Sequence, residues 1–275
     1  MKCQMSNVKC QINVCPASGG IPNRYISWKR DLRRVLYKII IPSFVIFNLT
    51  FLISPAGAYP QVFPAPAING PSGLVRMPSA DVIPYKNFNI GADFGANFLP
   101  SLSSTEAALY YKMNLGTFHG VEIGIVGGTD QITQKIREGV FVNMKLSLST
   151  GEEPYPMLLA IGVENLFSYT QTDVYMVATK YFKQGPKLSF GFMADFPDNK
   201  FRPLGMAGIE VPFGDAFYLL TDLLAGETLF QLDAGIRFYL TPIFSLSLSA
   251  LNILDNEVAK DRRSAYLGFS WANPF

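Results

Sequence analysis

Ten charged residues share one feature of spacing: in extended chain their side chains fall on a common face. They are Asp93, Lys112, Glu122, Lys145, Glu164, Asp195, Glu210, Asp222, Asp233 and Arg237, seven carboxylates against three cations. Two chemistries suit such a set. If the face encloses a narrow lumen, the charges need partners, because burying them unpaired is costly, and Lys112, Lys145 and Arg237 are then shared among the carboxylates in a structural network. If the lumen is open, the excess of carboxylates makes a polar channel with a preference for cations. The assignment depends on register, since a slip of one residue exchanges the two faces of a strand.

Other chemistry has little to stand on. A serine nucleophile needs a histidine base beside it. The single histidine, His119, lies between Phe118 and Gly120 in what reads as a tight turn. No metal-ligand spacing, phosphate loop or nucleotide fingerprint occurs, so neither a cofactor nor an enzymatic site is expected, catalytic or metal-binding. The acidity of the later part of the chain argues against a nucleic-acid partner.

The elements that position the ten charges are strands. Phe88, Ile90, Ala92, Phe94, Ala96 and Phe98 alternate with Asn89, Gly91, Asp93, Gly95 and Asn97, and similar period-two stretches follow to the end of the chain. A period of two means that alternate side chains face opposite sides. About twelve strands are expected, near 87–98, 105–116, 120–128, 138–149, 156–166, 172–183, 187–196, 204–213, 215–224, 228–240, 243–253 and 263–272. Strands of about ten residues match the length that a tilted strand needs to cross a bilayer. The longest connections, around 129–137, 197–203 and 254–262, are the third, seventh and eleventh, all odd. Long odd and short even connections are what a barrel produces when both chain ends lie on one side. A soluble β-sandwich is the alternative, but its outer face should carry lysine and glutamate rather than glycine, serine and asparagine. Aromatics near strand ends, Phe98, Phe118, Tyr155, Phe167, Tyr169, Phe182, Phe196, Phe213, Phe217 and Tyr239, fit interfacial belts.

Charge divides the chain in two. Residues 1–58 carry eight Lys/Arg and one acid (8 − 1 = +7), whereas 59–275 carry fifteen Lys/Arg and twenty acids (15 − 20 = −5). The basic stretch at Lys29–Arg34, the apolar run Ile39–Ile53 and the small residues Ala56, Gly57 and Ala58 read as a signal peptide with an extended basic n-region, cleaved after Ala58. Cys3, Cys10 and Cys15 all precede that point, so the remaining 217 residues lack cysteine and a disulfide framework. Without a long apolar run in those residues, membrane residence requires a barrel.

The last strand alternates Ala265, Leu267, Phe269 and Trp271 with Tyr266, Gly268 and Ser270, and the chain ends on Phe275. This resembles the closing strand of bacterial outer-membrane β-barrels. The resemblance implies that Leu267, Phe269, Trp271 and Phe275 form the signal read by the barrel-assembly machinery, in an outer membrane of the Gram-negative type. Pro274 departs from the pattern, because it cannot donate a ladder hydrogen bond. The expected fold is therefore all-β: a transmembrane antiparallel β-barrel of about twelve strands over 86–275, after a cleaved signal.

Residues 59–85 are rich in proline and glycine and aperiodic. They read either as a periplasmic strap leading into the first strand or as a plug tucked into the barrel. Gly70, Gly73, Leu74, Pro78, Ser79 and Ala80, followed by Gly91, resemble the opening of YjbH-like outer-membrane proteins of exopolysaccharide and capsule loci. That resemblance implies a polysaccharide or its export components as partners. Two functions are expected of the whole: a narrow, porin-like pore or export component for a small or linear polar solute, or a non-conducting barrel acting through its outer loops or an assembly partner.

Overall fold

The computed structural model describes residues 62–97, 107–130, 139–149, 156–166, 168, 171–183, 185–197, 200–227, 229–254 and 263–273. These fall in one compact unit, Pro55–Phe275. The expected cleavage after Ala58, the terminal Phe275 and the aromatics Phe98, Tyr155, Phe167 and Tyr169 lie outside the described residues.

Twelve antiparallel strands form a closed barrel: β1 (Phe88–Asn97), β2 (Ala107–Phe118), β3 (Val121–Asp130), β4 (Val140–Ser147), β5 (Met157–Leu166), β6 (Gln171–Tyr181), β7 (Lys187–Pro197), β8 (Arg202–Phe213), β9 (Phe217–Gly226), β10 (Phe230–Thr241), β11 (Phe244–Leu251) and β12 (Ser264–Asn273). Each strand pairs with its sequence neighbours, and β1 closes on β12 over ten residue pairs from Phe88↔Asn273 to Asn97↔Ser264. Closure leaves no edge strand, so every strand backbone has a partner, which a lipid environment demands.

The alternation sorts side chains sharply. Phe94, Leu109, Ile125, Met144, Ile161, Met176, Phe192, Leu219, Ile236, Leu248 and Leu267 project outward from eleven different strands, each more than a third exposed. Such a continuous apolar exterior would aggregate in water and is satisfied by lipid. At about 3.3 Å per residue, strands of this length tilted by about 40° span an apolar band of about 25 Å. Refolded protein should therefore migrate differently on gels when unheated and heated, with strand-rich circular dichroism; a helix-rich spectrum would contradict the fold.

The interior differs from a lumen lined by small and charged residues alone. Tyr110, Val126, Phe141, Tyr218, Leu220 and Tyr266 point inward and pack with Ile68 and Val75. A second cluster joins Tyr175, Val177, Met193, Leu204, Met206 and Leu224 to Met77 and Ala80. Tyr239, expected in an interfacial belt, is also turned inward and its hydroxyl donates to the Phe63 carbonyl. The partners of these apolar groups are residues 62–83. The segment thus packs against the inward-facing wall of the barrel. The reason is that an aperiodic stretch with few side-chain charges carries many free backbone groups, and the inward wall supplies their hydrogen-bond partners.

Candidate functional site

The plug holds itself together before it meets the wall. Ala67 N–H donates to Pro71 O (2.7 Å), Ile68 N–H to Val75 O (2.8 Å), Gly73 N–H to Ala65 O (3.0 Å) and Leu74 N–H to Met77 O (2.9 Å). Gly70 turns the chain at φ 115°, and a Cβ there would come within 2.3 Å of Asn143 Nδ2. Only glycine satisfies both the backbone and the approach. On the wall, Gly208 leaves room for the Leu74 side chain.

Wall carboxylates then take the remaining plug N–H groups. Asp222 Oδ2 accepts from three consecutive amides, Val75 (3.0 Å), Arg76 (2.8 Å) and Met77 (2.8 Å). Glu122 accepts from Ser72 N–H (2.8 Å), Ser72 Oγ (2.5 Å) and Ile83 N–H (3.0 Å). Thr179 Oγ1 accepts from Ala80 N–H at 2.9 Å.

Wall cations and amides take the plug carbonyls. Lys112 donates to Ala67 O (2.5 Å) and pairs with Asp93. Lys145 donates to Ser72 O (2.9 Å) and Ser72 Oγ (2.5 Å), with Glu122 at 3.5 Å. Arg237 Nη2 donates to Gly73 O (3.2 Å) and Leu74 O (3.0 Å), and Nη1 lies 3.7 Å from Glu210. Asn114 donates to Gly70 O (2.7 Å) and Asn143 to Asn69 O (3.1 Å).

All ten charges singled out from spacing are buried in this interior. The plug gathers Lys112, Glu122, Lys145, Glu164, Asp222, Asp233 and Arg237 through direct contacts, Arg76 reaching Asp233 at 3.7 Å and Asn69 reaching Glu164 at 3.4 Å. Asp93 and Glu210 act through Lys112 and Arg237, while Asp195 pairs with Arg202 on the wall itself. The motif residues Gly70, Gly73, Leu74, Pro78, Ser79 and Ala80 are all buried plug residues. Leu267, Phe269 and Trp271 face outward on β12. His119 sits in the β2–β3 turn with its ring centroid 4.7 Å from that of Tyr85.

Sequence spacing overlooked several participants. Lys187 bridges Asp81 (3.5 Å) and Glu210 (3.0 Å), and shares its parity with Asp195 on β7, a signal that could have found it. Asp173 has the parity of its buried neighbour Tyr175 on β6. Arg202 lay outside the expected limits of its strand. Asn114 and Asn143 share the inward parity of Lys112 on β2 and Lys145 on β4, a signal that could have found them.

Asp81 joins the plug to Lys187 and to the Tyr181 hydroxyl, which donates to it. Burial alone would raise this carboxyl, but Lys187, the Tyr181 hydroxyl and Lys145 outweigh burial and hold it below its ordinary 3.8. A carboxyl depressed on folding contributes stability above its unfolded value and loses it as pH falls through the folded one. The stability difference between the parent chain and Asp81→Asn should stay constant from neutral pH down to about 4 and shrink only below that range. A difference that already shrinks near pH 6 in gel-shift midpoints would contradict this electrostatic link.

No family model matches the chain, and no curated protein matches it. Among solved structures, the chain is similar to a KdgM porin at 8% identity, covering 66% of this chain and 98% of that one, with a TM-score of 0.47. It is also similar to Ail, the attachment invasion locus protein of Yersinia pestis, at 8% identity, covering 69% of this chain and 99% of that one, with a TM-score of 0.21. At these values the twelve-stranded closure rests on this chain's own pairing, and neither neighbour informs its lumen.

Proposed function

We propose that this is an outer-membrane β-barrel whose lumen is stoppered at rest by its own N-terminal segment, and that it works as a gated narrow pore for a small or linear polar solute. The observation that carries the reading is the pinning of residues 62–83 across the lumen, from Thr179 on β6 to Glu122 on β3 and Asp222 on β9. The contacts are largely hydrogen bonds to plug backbone, which water can replace when the segment withdraws. The exposed wall would then present Asp93, Glu122, Glu164, Asp173, Asp195, Glu210, Asp222 and Asp233 against Lys112, Lys145, Lys187, Arg202 and Arg237 (5 − 8 = −3), an interior favouring cations. A polysaccharide as cargo, or export components as partners, is supported by the YjbH-like spacing of Gly70, Gly73, Leu74, Pro78, Ser79 and Ala80, the residues that build the plug.

A second reading is a permanently closed barrel that acts through its outer loops or an assembly partner. It is favoured by the two apolar clusters, which count Ile68, Val75, Met77 and Ala80 of the plug among their buried members. Planar-bilayer recording of residues 59–275 separates the two. Rare, reproducible openings of the unmodified chain to a cation-preferring level support the gate. Silence from inserted protein at every voltage supports the closed barrel.

A further inference from the structure

The barrel wall already holds one alcohol. The Ser72 hydroxyl of the plug lies 2.5 Å from Glu122 Oε2 and accepts from Lys145 Nζ at 2.5 Å. Glu122 on β3 and Lys145 on β4 stand directly opposite each other in register, their charged groups 3.5 Å apart. All three residues are buried. A carboxylate beside an ammonium suits a hydroxyl, because that group donates to the first and accepts from the second. Bonds to ionised groups are about twice as strong as bonds between neutral ones. The hydroxyl also lies 2.8 Å from Asp81 O, but Asp81 belongs to the plug and leaves with it. The Glu122–Lys145 pair stays on the wall.

The neighbouring wall positions are of the same kind. Two residues farther from the short turns, Asn114 on β2 and Asn143 on β4 flank Gly124 of β3 in register. Their amides donate to Gly70 O at 2.7 Å and Asn69 O at 3.1 Å. Gly124 leaves a recess between them, where a Cβ would stand 2.0 Å from Asn114 Oδ1. That oxygen is buried and has no hydrogen-bond partner among the described residues, so it offers an acceptor over the recess.

The charges of the pair select what can replace the plug. Besides the hydroxyl, Glu122 accepts from Ser72 N–H (2.8 Å) and Ile83 N–H (3.0 Å), and Lys145 donates to Ser72 O (2.9 Å) and Ser79 O (3.3 Å). A replacement must therefore donate and accept within one small region, or leave buried charges unsatisfied. An anionic solute meets Glu122 and a cationic one meets Lys145. A neutral solute with several hydroxyls serves both.

We propose, on the footing of the gated pore, that Glu122 and Lys145, extended by Asn114 and Asn143, form a solute-binding subsite of the lumen. Its ligand is a neutral polyhydroxylated molecule, and Ser72 fills it at rest in place of a solute hydroxyl. Plug and solute exclude each other there.

Planar-bilayer recording of residues 59–275 with maltohexaose, a neutral linear glucose oligomer, against polyethylene glycol of matched size tests the subsite. The glycol fills a pore by size but carries ether oxygens where the saccharide carries hydroxyls. During openings of the parent chain, maltohexaose should block at a concentration about tenfold below that of the glycol. Glu122→Gln and Lys145→Met should each raise its half-blocking concentration about tenfold, as loss of one hydrogen bond to a charged group does, and leave that of the glycol as it was. Asp215→Asn, in the exposed β8–β9 turn, should change neither. Heat-modifiable migration of each variant shows that it has folded. Equal block by the two polymers, or a preference that survives both wall substitutions, overturns the subsite and leaves the pore standing. Silence of inserted parent chain at every voltage overturns the pore and the subsite with it.

Discussion

A chain lacking residues 61–82 should conduct persistently, in discrete steps and with a preference for cations, where the parent chain opens only rarely. The deleted stretch occupies the lumen, and its removal strips Ser72, Val75, Arg76 and Met77 from Glu122 and Asp222. The barrel wall itself stays covalently and topologically complete, since all twelve strands begin at Phe88 or later. The side chains left behind mix apolar groups such as Val126 and Leu220 with the charged Glu122, Lys145 and Asp222, and the charged ones draw water and ions in. Selectivity follows from the excess of carboxylates and should weaken as salt screens them. Heat-modifiable migration must first establish that the variant has folded. A folded, inserted deletion variant with conductance equal to the parent's would rule out the segment as the stopper.

Asp222→Ala should be the most damaging single substitution in the lumen. One carboxylate oxygen satisfies three successive plug amides, and the substitution leaves all three buried without an acceptor. Each unsatisfied buried donor costs about 1–3 kcal/mol, but the three share one site and are not additive. Removing one partner of a buried charged interaction typically costs about 3–5 kcal/mol, which is the loss expected here. The same change should let the plug leave, so brief openings accompany the lower unfolding midpoint. Asp222→Asn keeps an oxygen acceptor and should fall between the two in both readouts. Full stability together with silence in Asp222→Ala would show that the segment is held by its apolar contacts instead.

Much of the barrel was legible in the chain because lipid and lumen impose opposite demands on alternate residues. Ile90, Ala92 and Phe94 against Asn89, Gly91 and Asp93 leave one register for β1, and the pairing Phe94↔Leu267 and Asp93↔Gly268 keeps it. Expected and observed strand limits differ by at most two residues, for example 105–116 against Ala107–Phe118, because strand ends carry weaker alternation than their middles. Parity alone selected Asp93, Lys112 and Glu122 as inward residues. It did not select Lys187, which stands at the first residue of its strand.

The plug was not legible in the same way. Residues 62–83 have no period, and their partners lie as far as 147 residues away, from Val75 to Asp222. The wall groups that hold the plug, Glu122, Lys145, Thr179, Asp222 and Arg237, sit on five different strands and converge only once β1 meets β12. The inward turn of Asn165 likewise depends on the β4–β5 bulge, which local alternation contradicts. Alternation along the chain already demanded a lipid-facing barrel with a charged interior, since it is a local property of extended chain. Whether that interior stands open or filled was decided by tertiary structure alone, because the hydrogen bonds that seat the plug exist only after the barrel has closed.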